Sequence, residues 1–138
     1  MRIARDLLLA LWAGGLVTVA LLIAPVLFAA LDDRHLAGHL AGEYFRIATL
    51  ASLVLGAAVA GLGLRLPGRS VVLPLLAVGL LAASEWLVRP ALEAARGASG
   101  TVSRAFMAWH TVSTLLFGAA TLCVIWALVR ALGRGAGR

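Results

Sequence analysis

Lysine, asparagine and glutamine are absent from this chain of 138 residues, cysteine occurs once, and charged residues make up only 13% of it. The single thiol, Cys123, excludes an internal disulfide and CxxC redox chemistry, and its place in an apolar run makes it a small packing residue. Scarce charge, with 62% hydrophobic residues and a mean hydropathy of +1.01, excludes a soluble globular domain. There is no glycine-rich phosphate loop after a strand, no GxSxG and no HExxH, so no motif names a reaction and enzymatic activity is left open. The missing lysines accompany abundant arginine, alanine, leucine and glycine, the mark of a GC-rich bacterial coding sequence rather than of a function.

What is present comes in long apolar runs. Residues 7–31 and 47–64 carry no charge, 71–88 are interrupted only by Glu85, and 105–129 only by His110. Crossing the roughly 30 Å hydrocarbon core takes about 20 residues of helix, so each run is long enough or nearly so. The expected fold is all-α, a four-helix transmembrane bundle in a single membrane domain over 1–138, with helices near 7–31, 35–64, 71–89 and 104–131 and the lipid bilayer as partner. The first run follows Arg2 and Arg5 as a signal peptide would, but it is far longer than an h-region of about 7 to 15 residues and reads as the first helix.

The net charge of +6 and a pI near 11.5 do not imply nucleic acid, because the arginines stand at helix ends. Arg2, Arg5, Arg65, Arg69, Arg130, Arg134 and Arg138 share one side with Asp6 alone, whereas Arg34, Arg46, Arg89, Arg96 and Arg104 share the other with Asp32, Asp33, Glu43, Glu85 and Glu93. The positive-inside rule then puts both termini in the cytoplasm of a bacterial inner membrane. Small residues recur every four positions at Ala48, Ser52, Gly56 and Ala60, at Ala10, Gly14 and Thr18, and at Gly38 and Gly42, a spacing that suits a tight bundle or a homo-oligomer. Pro25 is expected to bend the first helix, Pro74 is tolerated in the first turn of the third, and Leu66-Pro67-Gly68-Arg69 reads as a tight turn.

Polar residues form three stripes. At 100° per residue His35, His39, Glu43 and Arg46 fall within roughly 80° on one helical face. Glu85, Arg89, Glu93 and Arg96 share a face of the third helix, with Pro90 as a candidate break, and Arg89 is the expected partner of Glu85 as Arg46 is of Glu43. Met107, His110, Thr114 and Thr121 lie within about 60° of one another, and this stripe is expected to face the bundle interior. All three stripes belong to the side away from the termini, which makes His39, Glu43, Arg46, Glu85, Arg89 and His110 a candidate ligand site.

Ala24-Pro25 with Phe28, Ala41-Gly42 with Phe45, Arg89-Pro90, and Trp109-His110 with Ser113 resemble the small four-helix membrane family that includes human transmembrane protein 205. The resemblance implies the four-helix architecture and points to Pro25, Gly42, Arg89, Pro90 and His110 without naming a reaction. More distantly the layout is similar to copper-resistance protein D and the membrane protoporphyrinogen oxidases, which lends weight to copper or haem.

Three functions are compatible with these residues. The outer cluster binds a metal ion or small solute for binding or transport, with His35, His39, Met107 and His110 as a nitrogen and sulfur set that would suit copper. Alternatively the bundle holds a b-type haem between His39 and His110, with Arg34, Arg46, Arg89 or Arg104 at the propionates. In the third, the charges pair with one another in a structural or interaction bundle without a ligand.

Overall fold

A membrane offers a backbone no water to bond with, so each apolar run is driven to satisfy its own N–H and C=O groups as helix. The computed structural model describes residues 1–66, 70–96 and 103–133, and among these it is helical and contains no strand. The elements are α1 (Arg2–Thr18), a π-helical turn (Val19–Ile23), α2 (Ala24–Ala30), α3 (Arg34–Leu64), α4 (Val72–Ala83), a second π-helical turn (Ser84–Val88), α5 (Arg89–Ala95) and α6 (Arg104–Gly133). They make four spans long and apolar enough to cross a membrane, Arg2–Ala30, Arg34–Leu64, Val72–Ala95 and Arg104–Gly133, as in an integral membrane protein. Pro67, Gly68 and Arg69 of the expected turn, and Arg134 and Arg138, lie outside the described residues.

Local chemistry sets the span ends. Asp33 caps the second span, its carboxylate accepting from the backbone N–H of His35 at 2.8 Å and of Leu36 at 3.1 Å. The span then runs unbroken through Gly42 for 31 residues, about 46 Å of helix. It therefore outreaches the hydrocarbon core. The third span was expected to close at Arg89 but continues to Ala95.

The reason is the turn before the proline. Pro90 has no N–H for the carbonyl of Trp86, and its ring would crowd that carbonyl in a regular α-helix. The backbone widens by one residue instead, and the N–H of Arg89 bonds to the carbonyl of Ser84, five residues back. Pro25 is accommodated in the same way, the N–H of Ala24 bonding to the carbonyl of Val19. The two sites are related in sequence as well: Leu22-Ile23-Ala24-Pro25-Val26-Leu27-Phe28-Ala29-Ala30 and Leu87-Val88-Arg89-Pro90-Ala91-Leu92-Glu93-Ala94-Ala95 share one pattern of leucine, branched residue, proline, leucine and paired alanine.

The four spans stand in cyclic order, each packed against its sequence neighbours and the fourth against the first. The closest packing lies toward the end that carries the termini. Leu9, Trp12, Ala13, Leu16, Val59, Ala77, Leu81, Ala120 and Val124 form its core. Gly56 is the tightest point, since a Cβ there would overlap Val78 Cγ2 and lie 2.8 Å from Trp12 Cη2. The small-residue stripe of the second span is thus consumed inside the bundle, with Ser52, Gly56 and Ala60 buried. Ala10, Gly14 and Thr18 of the first span are exposed instead.

Toward the opposite end the packing changes. Past the π-turns, Ala24–Ala30 packs on the second span and Arg89–Ala95 on the fourth, and neither makes a comparable backbone approach to the other pair. The molecule is two helical hairpins, close-packed at the termini end and separated at the other.

Candidate functional site

The separated end is where the charges meet. Glu85 stands thirteen residues beyond Val72, roughly 20 Å along the third span, and is therefore within the thickness of a hydrocarbon core, where an ionised side chain needs a partner. Its nearest partner comes from the other hairpin: Arg46 Nε lies 3.3 Å from Glu85 Oε1. Arg89 reaches the other way, its Nη2 donating to Glu43 Oε1 at 3.1 Å. Within the hairpins the contacts expected from spacing are longer, 3.9 Å for both Glu43 with Arg46 and Glu85 with Arg89. Glu93, which the candidate set omitted, accepts from Arg89 Nε at 2.9 Å. Two guanidinium groups therefore serve three carboxylates, and long side chains bridge a gap that the backbones do not close.

Exposure sets the worth of this network. Glu85 is 12% exposed and Arg89 24%, whereas Glu43 and Arg46 are 42% and 47% exposed. Stranding a charge that protein largely encloses costs several kcal/mol. The weight of the network accordingly rests on Glu85 and Arg89.

Below the charges the hairpins touch through Phe45 and Phe117, edge to face with centroids 4.8 Å apart. Within the second hairpin, Ser84 and Ser113 share a hydrogen bond of 3.2 Å. At its tip Ser103 donates to the carbonyl of Ala95 at 3.0 Å and accepts from the N–H of Phe106 at 3.0 Å. Arg96 sits over the Phe106 ring at 5.5 Å.

The histidines are placed differently from the expectation. His110 is exposed and stacked on Phe106 at 6.0 Å between ring centroids. Met107 and Thr114 are also exposed and Thr121 is only half-buried, so this stripe does not face the interior. It lies on the flank of the fourth span, beside the buried face formed by Phe117, Ala120, Val124 and Ala127. Thr114 and Thr121 satisfy their hydroxyls on the carbonyls of His110 and Phe117. His35 and His39 are exposed on the second span. Among the described residues no three His, Cys, Asp or Glu side chains converge as a metal site, and the two proposed haem ligands, His39 and His110, both stay out of the core.

Two further polar residues escaped the sequence reading. Arg5, taken for a flanking charge, is 3% exposed and donates to the carbonyl of Ser70 at 3.1 Å, tying the hairpins at the termini end. Trp12 Nε1 is buried without a hydrogen-bond partner. Trp12 also lines an apolar groove of about 150 Å³ between the first and second spans, with Gly15, Val19, Tyr44 and Ser52. A signal for Arg5 existed in its apolar neighbours, but nothing local announces its partner.

The chain belongs to a family described as a domain of unknown function, DUF4149, whose model matches residues 7–98. The match takes in Glu43, Arg46, Glu85, Arg89 and Glu93 and stops short of Met107 and His110. No curated protein and no solved structure matches the chain. Nothing in the match ties it to transmembrane protein 205 or to the copper-resistance protein D bundles.

Proposed function

We propose that this DUF4149 member binds a small organic cation, such as a diamine, at the charged end of its bundle, as a binding or transport protein of a bacterial inner membrane with both termini cytoplasmic. The observation that carries the reading is the excess of carboxylate over guanidinium: Arg46 and Arg89 are shared among Glu43, Glu85 and Glu93, so a third cation has an acceptor to take. Ammonium groups make charge-assisted hydrogen bonds to half-exposed carboxylates of this kind. The orientation follows the arginine distribution and makes the cluster face outward. A metal ion is the weaker form of the same reading, because His35, His39, Met107 and His110 are not gathered into a ligand set, and a haem between His39 and His110 is weaker still.

The test is thermal unfolding of the purified chain in mild detergent with putrescine, zinc chloride or sodium sulfate. Putrescine is expected to raise the midpoint, by about 2.7 kcal/mol of stabilisation at a hundredfold excess over Kd, and Glu43→Gln with Glu85→Gln to abolish the rise. Stabilisation by sulfate that is lost in Arg46→Gln would replace the cation with an anion. A response to none of the three would leave the ligand-free structural bundle, which the mutual pairing of these charges also supports.

A further inference from the structure

We infer that the two hairpins are arms that part at the charged end about the paired π-turns, and that Glu43, Arg46, Glu85 and Arg89 are the latch that holds them together. Three independent features converge on this. First, the arms are fixed at one end only. Arg5 bonds to the carbonyl of Ser70 across the hairpins, and Gly56 admits Trp12 and Val78 at van der Waals contact, whereas past the π-turns each arm packs within its own hairpin. Second, both arms carry a proline preceded by a π-turn at corresponding positions, the first at Val19–Ile23 before Pro25 and the second at Ser84–Val88 before Pro90. A widened turn beside a proline is where a membrane helix bends most readily. Third, among the described residues the polar bridges between the arms at this end are ionic, through Arg46 with Glu85 and Arg89 with Glu43, beside the ring contact of Phe45 with Phe117. Arg46 and Glu43 are nearly half exposed, so the protein does not enclose them and both are free to change partners when the arms separate.

The latch needs no solute. It works by exchange, since each arm keeps an acid and a base of its own: Glu43 with Arg46 on one, Arg89 with Glu85 and Glu93 on the other. When the arms part, each arginine falls back on its own carboxylates, and no charge is stranded. Opening is therefore a swap of partners rather than a loss of them.

The experiment is pulsed electron spin resonance on the full chain in phospholipid nanodiscs, in a Cys123→Ser background. One nitroxide pair, at Val26→Cys and Met107→Cys, reads the charged end, and a second, at Ile3→Cys and Leu132→Cys, reads the termini end; all four positions are exposed. Arg46→Gln with Arg89→Gln is expected to lengthen and broaden the first distance distribution and leave the second as in the parent. Raising salt from about 0.05 M to about 1 M, where screening acts within about 3 Å, should move the unmutated pair the same way, which keeps the test decisive if the variant does not fold. An unchanged distribution at the charged end, or equal broadening at both ends, overturns the latch. If putrescine stabilises the chain while these distances stay fixed, the solute site stands and the latch falls; if the distances move and putrescine has no effect, the reverse holds.

Discussion

Gly56 and Gly118 occupy matching sites in two similar strings, Ser52-Leu53-Val54-Leu55-Gly56-Ala57-Ala58 and Thr114-Leu115-Leu116-Phe117-Gly118-Ala119-Ala120, yet their surroundings are opposite. A Cβ at Gly56 would meet Val78 and Trp12, and one at Gly118 has nothing within 4 Å. Gly56→Ala is expected to cost about 1–3 kcal/mol by overpacking. Gly118→Ala should be neutral or gain up to about 1 kcal/mol from helix propensity. Equilibrium unfolding in detergent micelles compares the two. Among the charges, Arg89→Gln should destabilise more than Arg46→Gln, by about 1–3 kcal/mol, because it strips partners from three glutamates rather than two; the same unfolding curves rank them. Glu43, Arg46, Glu85 and Arg89 were legible in the sequence as a charged group, since intramembrane acids need partners, whereas His39 and His110, expected beside them, stand apart and Glu93 joins them. The group's pairing was legible only within each helix, where Glu43 with Arg46 and Glu85 with Arg89 are both present, because spacing reports neighbours along one helix and the shorter inter-hairpin contacts, Arg46 with Glu85 and Arg89 with Glu43, join residues far apart in the chain.

At the level of the element, the spans were legible because hydropathy is a local property and lipid leaves helix as the way to satisfy it. The proline sites were half legible. Pro90 reads as a helix end from its chemistry alone, but a π-turn lets the third span continue through it. Glu85, which reaches Arg46, lies within that turn, so the turn's geometry sets where its side chain leaves the helix. Pro90→Ala permits a regular helix there, and closing a turn widened by one residue rotates one side of it against the other by about 100°. The coupling energy between Arg46→Gln and Glu85→Gln, measured by a double-mutant cycle, is accordingly expected to fall toward zero in a Pro90→Ala background. The facing of the fourth span was illegible for a related reason: a polar stripe in a membrane helix points inward only where a neighbour covers it, and the first span has departed from the fourth at the depth of His110.

For the molecule as a whole, orientation is the property that the cluster's role depends on. With Cys123→Ser as background, a membrane-impermeant maleimide applied outside intact spheroplasts is expected to label Ser103→Cys and spare Ser70→Cys; the opposite pattern would turn the cluster toward the cytoplasm. The two related proline segments bear on how such a molecule opens. Where the second carries Glu85, Arg89 and Glu93, the first carries Ala20, Ala24 and Phe28 at the equivalent places. Charge therefore fastens the seam between the second and third spans, while among the described residues the seam between the first and fourth has no Coulombic closure of this kind. Once that latch exchanges its partners, the seam between the first and fourth spans has no second clasp to release, so the arms part along both seams together. A seam without charge is passable to acyl chains, so on this reading traffic through it would be sideways, between the protein and the lipid leaflet, rather than along a pore.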